Sequence, residues 1–221
     1  MMSYAPELQP MHVLLVDDHP VVRVGFAALL GQLGYQLVIN EADDAEQAIT
    51  LCTEHAPRVA LVDLSLSGEL SLDLIKRIRS LCPHTSILVV SMHDERIYAE
   101  RALRAGARGY VMKHNAAKSI VQAVRVILKG QIWLSEDMRS TVLERFADCL
   151  DSGSRNKLEF LSDRELEVFR LIGRGLKKSE IGQQLSISPS TIETYRANIK
   201  RKLGLASGSE LYRQAFLHFQ A

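Results

Sequence analysis

Five residues in the first half of the chain have types that together suit phosphoryl chemistry. Asp17 and Asp18 close the apolar run "HVLLV", Asp63 closes "VALV", Ser91 closes "SILVV", and Lys113 follows "GYVM". Three carboxylates brought together repel one another and raise their pKa values unless a cation neutralises them. A hard divalent ion with oxygen ligands meets that need, and Mg²⁺ retains waters and an open position for a phosphoryl oxygen. An aspartate can also carry a phosphoryl group covalently, and Asp63 is the carboxylate assigned as nucleophile. Lys113 then supplies a fixed positive charge facing the phosphoryl group, and Ser91 a hydrogen bond to another of its oxygens. Alone, an aspartate after a strand commonly serves only as a helix cap. All five groups at the ends of successive apolar runs are much harder to attribute to caps.

These groups can meet only if the runs are parallel strands, because ligands in an open parallel sheet bind beyond the carboxyl ends. The runs at 12–16, 36–40, 59–62, 86–90 and 109–112 have the length and continuity of strands covered on both faces. Amphipathic patterns near 20–33, 44–54, 71–80, 95–105 and 116–129 separate them. Five βα repeats with right-handed crossovers predict an α/β fold, a doubly wound parallel (βα)5 sheet of the flavodoxin-like kind.

The remainder reads differently. A linking helix is expected over 136–150, followed by the polar "DSGSRNK" at 151–157, which suits a flexible connection. From 158 onward there is no strand pattern. Three S-x-x-E sequences, starting at Ser162, Ser190 and Ser207, can form capping boxes. For the third helix Ser188 is the preferred cap, since Pro189 then takes the first helical position, where its missing N–H is harmless. Four short helices follow from this, a small all-α domain. The 221 residues are enough for two such cores, and the expected division is 11–130, a connection over 131–157, and 158–221.

Composition narrows the function classes. No apolar run approaches the ~18 residues of a membrane span, and "MMSYAPELQP" lacks the basic start and apolar core of a signal peptide. Cys52, Cys82 and Cys149 are isolated and odd in number, which fits reduced thiols in the cytoplasm and neither a disulfide framework nor a zinc site. Charge is unevenly shared. Residues 1–150 carry 15 Lys+Arg against 18 Asp+Glu, whereas residues 158–221 carry 10 against 7, so the second domain is the one suited to a polyanion. Walker A and dinucleotide motifs are absent.

On the acidic pair, the lone aspartate, the serine and the lysine, the chain resembles a bacterial two-component response regulator over roughly 11–219. That resemblance implies that Asp63 accepts the phosphoryl group. It also implies that Asp18 and Asp63 ligate Mg²⁺ directly with the backbone carbonyl of Ser65, and that Asp17 acts mostly through water. Tyr110, three residues before Lys113, matches the family's aromatic switch, which turns inward on activation. Two departures stand in "DLSLSGELS", where Ser67 replaces the family's proline and Ser71 its glycine. The stretch "LSDRELEVFRLIGRGLKKSEIGQQLSISPSTIETYRANIKRKLGL" resembles the LuxR-type helix-turn-helix of the NarL/FixJ class.

In its third helix Ile192, Tyr195, Ile199 and Leu203 form the apolar stripe. Ser190, Glu193, Thr194, Ala197 and Arg201 lie opposite, with Arg196 and Lys200 on the flank. A recognition helix inserts its N-terminal part into the major groove. Glu193 can accept from a cytosine amino group, and Thr194 or Ala197 can meet a thymine methyl. Arg196, Lys200, Arg201 and Lys202 are expected on phosphates, with Lys177 and Lys178 adding to them. In the last helix, 208–219, Leu211, Ala215, Phe216 and Phe219 share a broad apolar side, part of which is expected to pack internally, and the family resemblance implies that part joins a dimer.

The reading is a cytoplasmic, phosphorylation-controlled, DNA-binding transcriptional regulator and not an enzyme. Its expected partners are a sensor histidine kinase or phosphotransfer protein, double-stranded DNA, and a second copy when active. An aspartyl phosphatase could also use three acids, Mg²⁺ and a lysine, but such enzymes resemble D-x-D-x-[TV], and Asp63 is followed by Leu64 and Ser65. An unphosphorylated regulator whose receiver-like half serves only as a dimerisation or ligand-sensing module is the other alternative.

Overall fold

The computed structural model describes residues 10–66, 69–148 and 157–219. The contacts divide the chain into two compact units at Leu143/Glu144.

In the first unit five strands pair in the order β2-β1-β3-β6-β7. They are β1 (Met11–Val16), β2 (Leu37–Ala42), β3 (Val59–Asp63), β6 (Ser86–Ser91) and β7 (Gly109–Met112). Every pairing is parallel. Two-residue strands β4 (Ser65–Leu66) and β5 (Glu69–Leu70) form a small antiparallel ladder just after the third strand. Nothing in the hydrophobic pattern signals it, because two residues cannot establish a period. All five residues of β3 are buried, as its central place in the sheet requires.

Helices α1 (Pro20–Leu30), α2 (Ala45–His55), α3 (Leu72–Leu81), α4 (Glu95–Ala105) and α5 (Ala116–Leu128) alternate with these strands. Strand residues alternate between faces, and one face packs as a continuous core. Val13, Leu15, Val59, Leu61, Leu88 and Val90 meet Phe26 and Leu30 of α1 and Ile120, Val124 and Ile127 of α5. Helices α2, α3 and α4 pack in sequence with one another, α2 against β1 and β2 and α4 against β7. The doubly wound sheet expected from the apolar runs is therefore the fold. Helix α6 (Glu136–Asp148) follows; positions 149 and 150 of the expected helix, Cys149 included, lie outside the described residues.

The second unit contains α7 (Asp163–Gly173), α8 (Lys178–Gln184), α9 (Pro189–Leu203) and α10 (Gly208–Phe219), preceded by a short 3-10 turn at Lys157–Phe160. The Ser162 box closes reciprocally: Ser162 N–H donates to Glu165 Oε2 at 2.7 Å and Glu165 N–H to Ser162 Oγ at 3.3 Å. Ser188 caps α9 by accepting from Thr191 N–H at 3.1 Å, with Pro189 first in the helix. Glu193 is thereby left out of any cap. At α10 only half a box forms, since Glu210 N–H donates to Ser207 Oγ while Glu210 Oε2 accepts from Ala206 N–H. Among the described residues no helix is long and apolar enough to cross a membrane.

Candidate functional site

Strand register brings the five functional groups of the first unit to one sheet edge. Val16 pairs with Val62, so Asp17 and Asp63 leave adjacent strands side by side. Asp63 pairs with Val90, directly before Ser91, and Ser91 pairs with Met112, directly before Lys113. Lys113 Nζ lies 2.7 Å from Asp63 Oδ2 and 2.7 Å from Asp17 Oδ2. Asp18 is partly exposed beside them, and Asp17 and Asp63 are buried.

Oxygens of Asp17, Asp18 and Asp63 and a nitrogen of His19 all fall within 4.8 Å of one another. His19 Nδ1 is 2.7 Å from Asp18 Oδ1 and 3.2 Å from Asp17 Oδ1. Burial pushes the Asp63 carboxyl up and the nearby Asp17 charge adds to this. The hydrogen bond and charge of Lys113 pull it down without restoring the ordinary value. Burial works to lower the Lys113 ammonium, but its bonds to Asp17 and Asp63 prevail and hold it above the usual lysine value. Two carboxylates thus hold one lysine with a third carboxylate beside them, and this oxygen-rich set with residual negative charge fits a divalent ion such as Mg²⁺.

Ser91 is fully buried, and its Oγ accepts from His93 N–H at 3.0 Å. Tyr110 is turned inward, 1% exposed, and its hydroxyl donates to the His93 carbonyl at 2.8 Å. Burial holds the phenol far above its ordinary pKa, so it stays a donor at any physiological pH. Ser65 N–H donates to Asp63 Oδ1 at 3.2 Å, which orients the carboxylate. Ser71 adopts φ −82°, an ordinary value, so a serine fits without strain where the family has glycine. Ser67 lies outside the described residues.

Sequence reasoning missed Arg23. Its Nε donates to Glu41 Oε2 at 2.7 Å and its Nη1 to the Asp17 carbonyl at 2.6 Å, pinning the loop that bears both aspartates. Only its place in the first turn of the following helix could have suggested this.

In the second unit Ile192, Ile199 and Leu203 of α9 are buried as expected and Tyr195, expected with them, is only half-buried, whereas Ser190, Glu193, Thr194, Ala197 and Arg201 are exposed. Lys177 is exposed as well. Several charged groups have partners within the unit. Glu193 Oε1 is 3.1 Å from Lys178 Nζ and 3.3 Å from Arg196 Nη1, and Arg196 lies 5.2 Å over the Tyr212 ring. Lys202, expected on phosphate, donates to the buried Glu165 at 2.6 Å, which ties it to α7. The charge of Lys200 helps to lower the Glu193 carboxyl, and Arg201 is exposed.

The pocket and sheet define a receiver-type phosphoryl site, and the four helices a helix-turn-helix. Residues 13–125 match the response regulator receiver domain and residues 159–215 the bacterial regulatory proteins of the luxR family. The oxygen regulatory protein NreC of Staphylococcus carnosus is 34% identical over 209 residues, 93% of this chain and 96% of that protein. RcsB of Salmonella typhimurium superposes with a TM-score of 0.70 at 26% identity, covering 96% of this chain and 100% of that one. RcsB of Salmonella enterica serovar Typhimurium, bound to promoter rprA with the phosphomimetic BeF₃⁻, gives 0.66 at 27%, covering 94% and 98%. The chain belongs to the NarL/FixJ class of response regulators, which join a receiver domain to a LuxR-type DNA-binding domain and regulate transcription under phosphorylation.

Proposed function

We propose that Asp63 is the phosphoacceptor and that its loading controls dimerisation and promoter binding through α9. The supporting observation is Lys113 Nζ held 2.7 Å from both Asp63 and Asp17 within a mostly buried pocket. A carboxylate oxygen of Asp63 forms the new P–O bond as the P–N bond of a phosphohistidine donor breaks, and the donor imidazole leaves with the electron pair. The donor is a sensor histidine kinase or a phosphotransfer protein. Asp17, Asp18 and Asp63, with the Ser65 carbonyl, are the residues to hold Mg²⁺. Bound there, the ion withdraws charge from the phosphoryl oxygens. Lys113 counters the charge of the transferred group, and Ser91 exchanges its His93 contact for a phosphoryl oxygen. Tyr110 follows the displaced loop.

Receiver residues 11–130, a connection over 131–157 and a DNA-binding domain over 158–221 divide these tasks. In the second domain Ser190, Glu193, Thr194 and Ala197 face base edges. Lys177, Lys178, Arg196, Lys200 and Arg201 face phosphates, and Lys202 contributes mainly by fixing α9 to α7. The chain acts as a cytoplasmic regulator rather than as an enzyme that turns over phosphate esters.

Asp63→Asn tests the assignment. Incorporation of phosphate from acetyl phosphate and Mg²⁺ should vanish in a variant whose circular dichroism is unchanged. Undiminished labelling of that variant moves the acceptor to another residue.

A further inference from the structure

The chain leaving α5 turns back onto the open edge of the sheet. Trp133 N–H donates to the Arg108 carbonyl at 3.0 Å, and Tyr110 N–H to the Trp133 carbonyl at 3.1 Å, making a parallel bridge between Gly109 and Trp133. Ser135 N–H donates to Glu95 Oε1 at 2.9 Å, although Glu95 is a charged residue only 7% exposed. Leu134 and Met138 are buried beyond it, and Trp133 packs against the core between the sheet and α5. Gly109 permits this close approach, since a Cβ there would come within 3.0 Å of both Trp133 Cβ and its carbonyl oxygen.

The strap therefore grips two elements at once. One is β7, at Tyr110. The other is the first turn of α4, at Glu95, two residues after the His93 carbonyl that receives the Tyr110 hydroxyl. His93 N–H is in turn held by Ser91 Oγ. A shift of Ser91 toward a phosphoryl oxygen would free the His93 N–H while the His93 carbonyl stays on Tyr110, so a displacement of Tyr110 would be passed to the start of α4 and to the Glu95–Ser135 bond. Helix α6 begins at Glu136, immediately after the strap.

We infer that Glu95 is a positioning residue that couples the Ser91–Tyr110 switch to residues 131–135, and so to the start of α6. This rests on Asp63 being loaded as described above. An edge strand covered by its own downstream segment also loses its exposed row of hydrogen-bonding groups, but that role alone gives no reason to bury a carboxylate.

Trp133 is the sole tryptophan of the chain, so its emission reads the strap directly. Full-length protein is loaded with Mg²⁺ and BeF₃⁻, binding is verified by ¹⁹F NMR, and Trp133 emission and DNA affinity are recorded for wild type, Glu95→Ala and Glu95→Gln. Loading should change the emission of the wild type. Glu95→Ala should keep the bound-fluoride signal but lose the emission change, and the gain in DNA affinity should fall at least about five-fold, the lower end of ordinary coupling between sites. Glu95→Gln, which retains an acceptor for Ser135, should restore both. A full emission and affinity response in Glu95→Ala with fluoride bound overturns the coupling. Absence of bound fluoride in the wild type overturns the pocket reading, and the strap's input with it.

Discussion

Glu165 accepts hydrogen bonds from Ser162 N–H and from Lys202 Nζ, joining the start of α7 to α9 through one buried carboxylate. Burial works to raise its pKa, but Lys202 and the Ser162 bonds outweigh this and hold it below the ordinary glutamate value. A group depressed on folding stabilises the fold above its unfolded pKa, and that contribution disappears as pH falls through the lower, folded value. The second unit should therefore loosen below about pH 4.5, the ordinary value from which Glu165 is lowered. Glu165→Gln should cost about 1–2 kcal/mol near neutral pH, in the range of a lost cap, and flatten that acid dependence. Hydrogen exchange of the α7 amides against pH measures both; identical acid profiles in wild type and variant would remove the pair as the cause. Lys200 lies on the flank of α9 with a weaker tie, a charge interaction with Glu193. Lys200→Ala should weaken binding to all DNA sequences alike and reduce the salt slope by about one, whereas a changed base preference would place Lys200 on a base edge.

Helix ends were legible where a short motif carries its own physics. Ser188 and Pro189 set the start of α9 because the serine hydroxyl and the fixed proline φ act within one turn, and Gly204 ends it at φ +69°. Helix α10 was legible in part. Periodicity groups Phe216 with Leu211 and Ala215 and expects only part of that side to pack internally; Leu211 and Ala215 are fully buried and Phe216 is 53% exposed, a division that periodicity does not locate. The reason lies in the partner helix. Gly173 has no side chain, so α10 approaches α7 so closely that an added Cβ would stand 2.5 Å from the Ala215 carbonyl oxygen. Such a close crossing buries a narrow stripe. Gly173→Ala should accordingly destabilise the second unit by about 1–3 kcal/mol, the usual cost of overpacking. Its urea midpoint, followed by exchange of α7 and α10 amides, checks this, and an unaltered midpoint would show that the helices separate freely.

Across the whole chain, the proposed function requires one covalent group on Asp63 to alter a DNA-binding surface carried by other residues. A ligand shifts such an equilibrium only by its differential affinity for the two states. Acetyl phosphate with Mg²⁺ should raise DNA affinity at least about five-fold and shift the sedimentation coefficient toward a dimer. Chelation of Mg²⁺ before loading should abolish both changes, and Asp63→Asn should show neither. Fluorescence anisotropy with promoter DNA and analytical ultracentrifugation supply the measurements. A DNA affinity indifferent to loading would leave the receiver as a dimerising module alone.

The amino-acid sequence alone determined the five parallel strands, the helices between them and the polar ends of the strands, because apolar period, strand-terminal charge and caps are encoded within a few neighbouring residues. It thereby placed Asp17, Asp18, Asp63, Ser91 and Lys113 on one edge. Tertiary structure alone decided that Arg23 pins the aspartate loop, that Lys202 turns to Glu165, and that Glu95 grasps Ser135. Each of those bonds joins residues from separate elements, and whether a charged side chain ends in water or on a buried partner depends on how those elements pack, which no local pattern specifies.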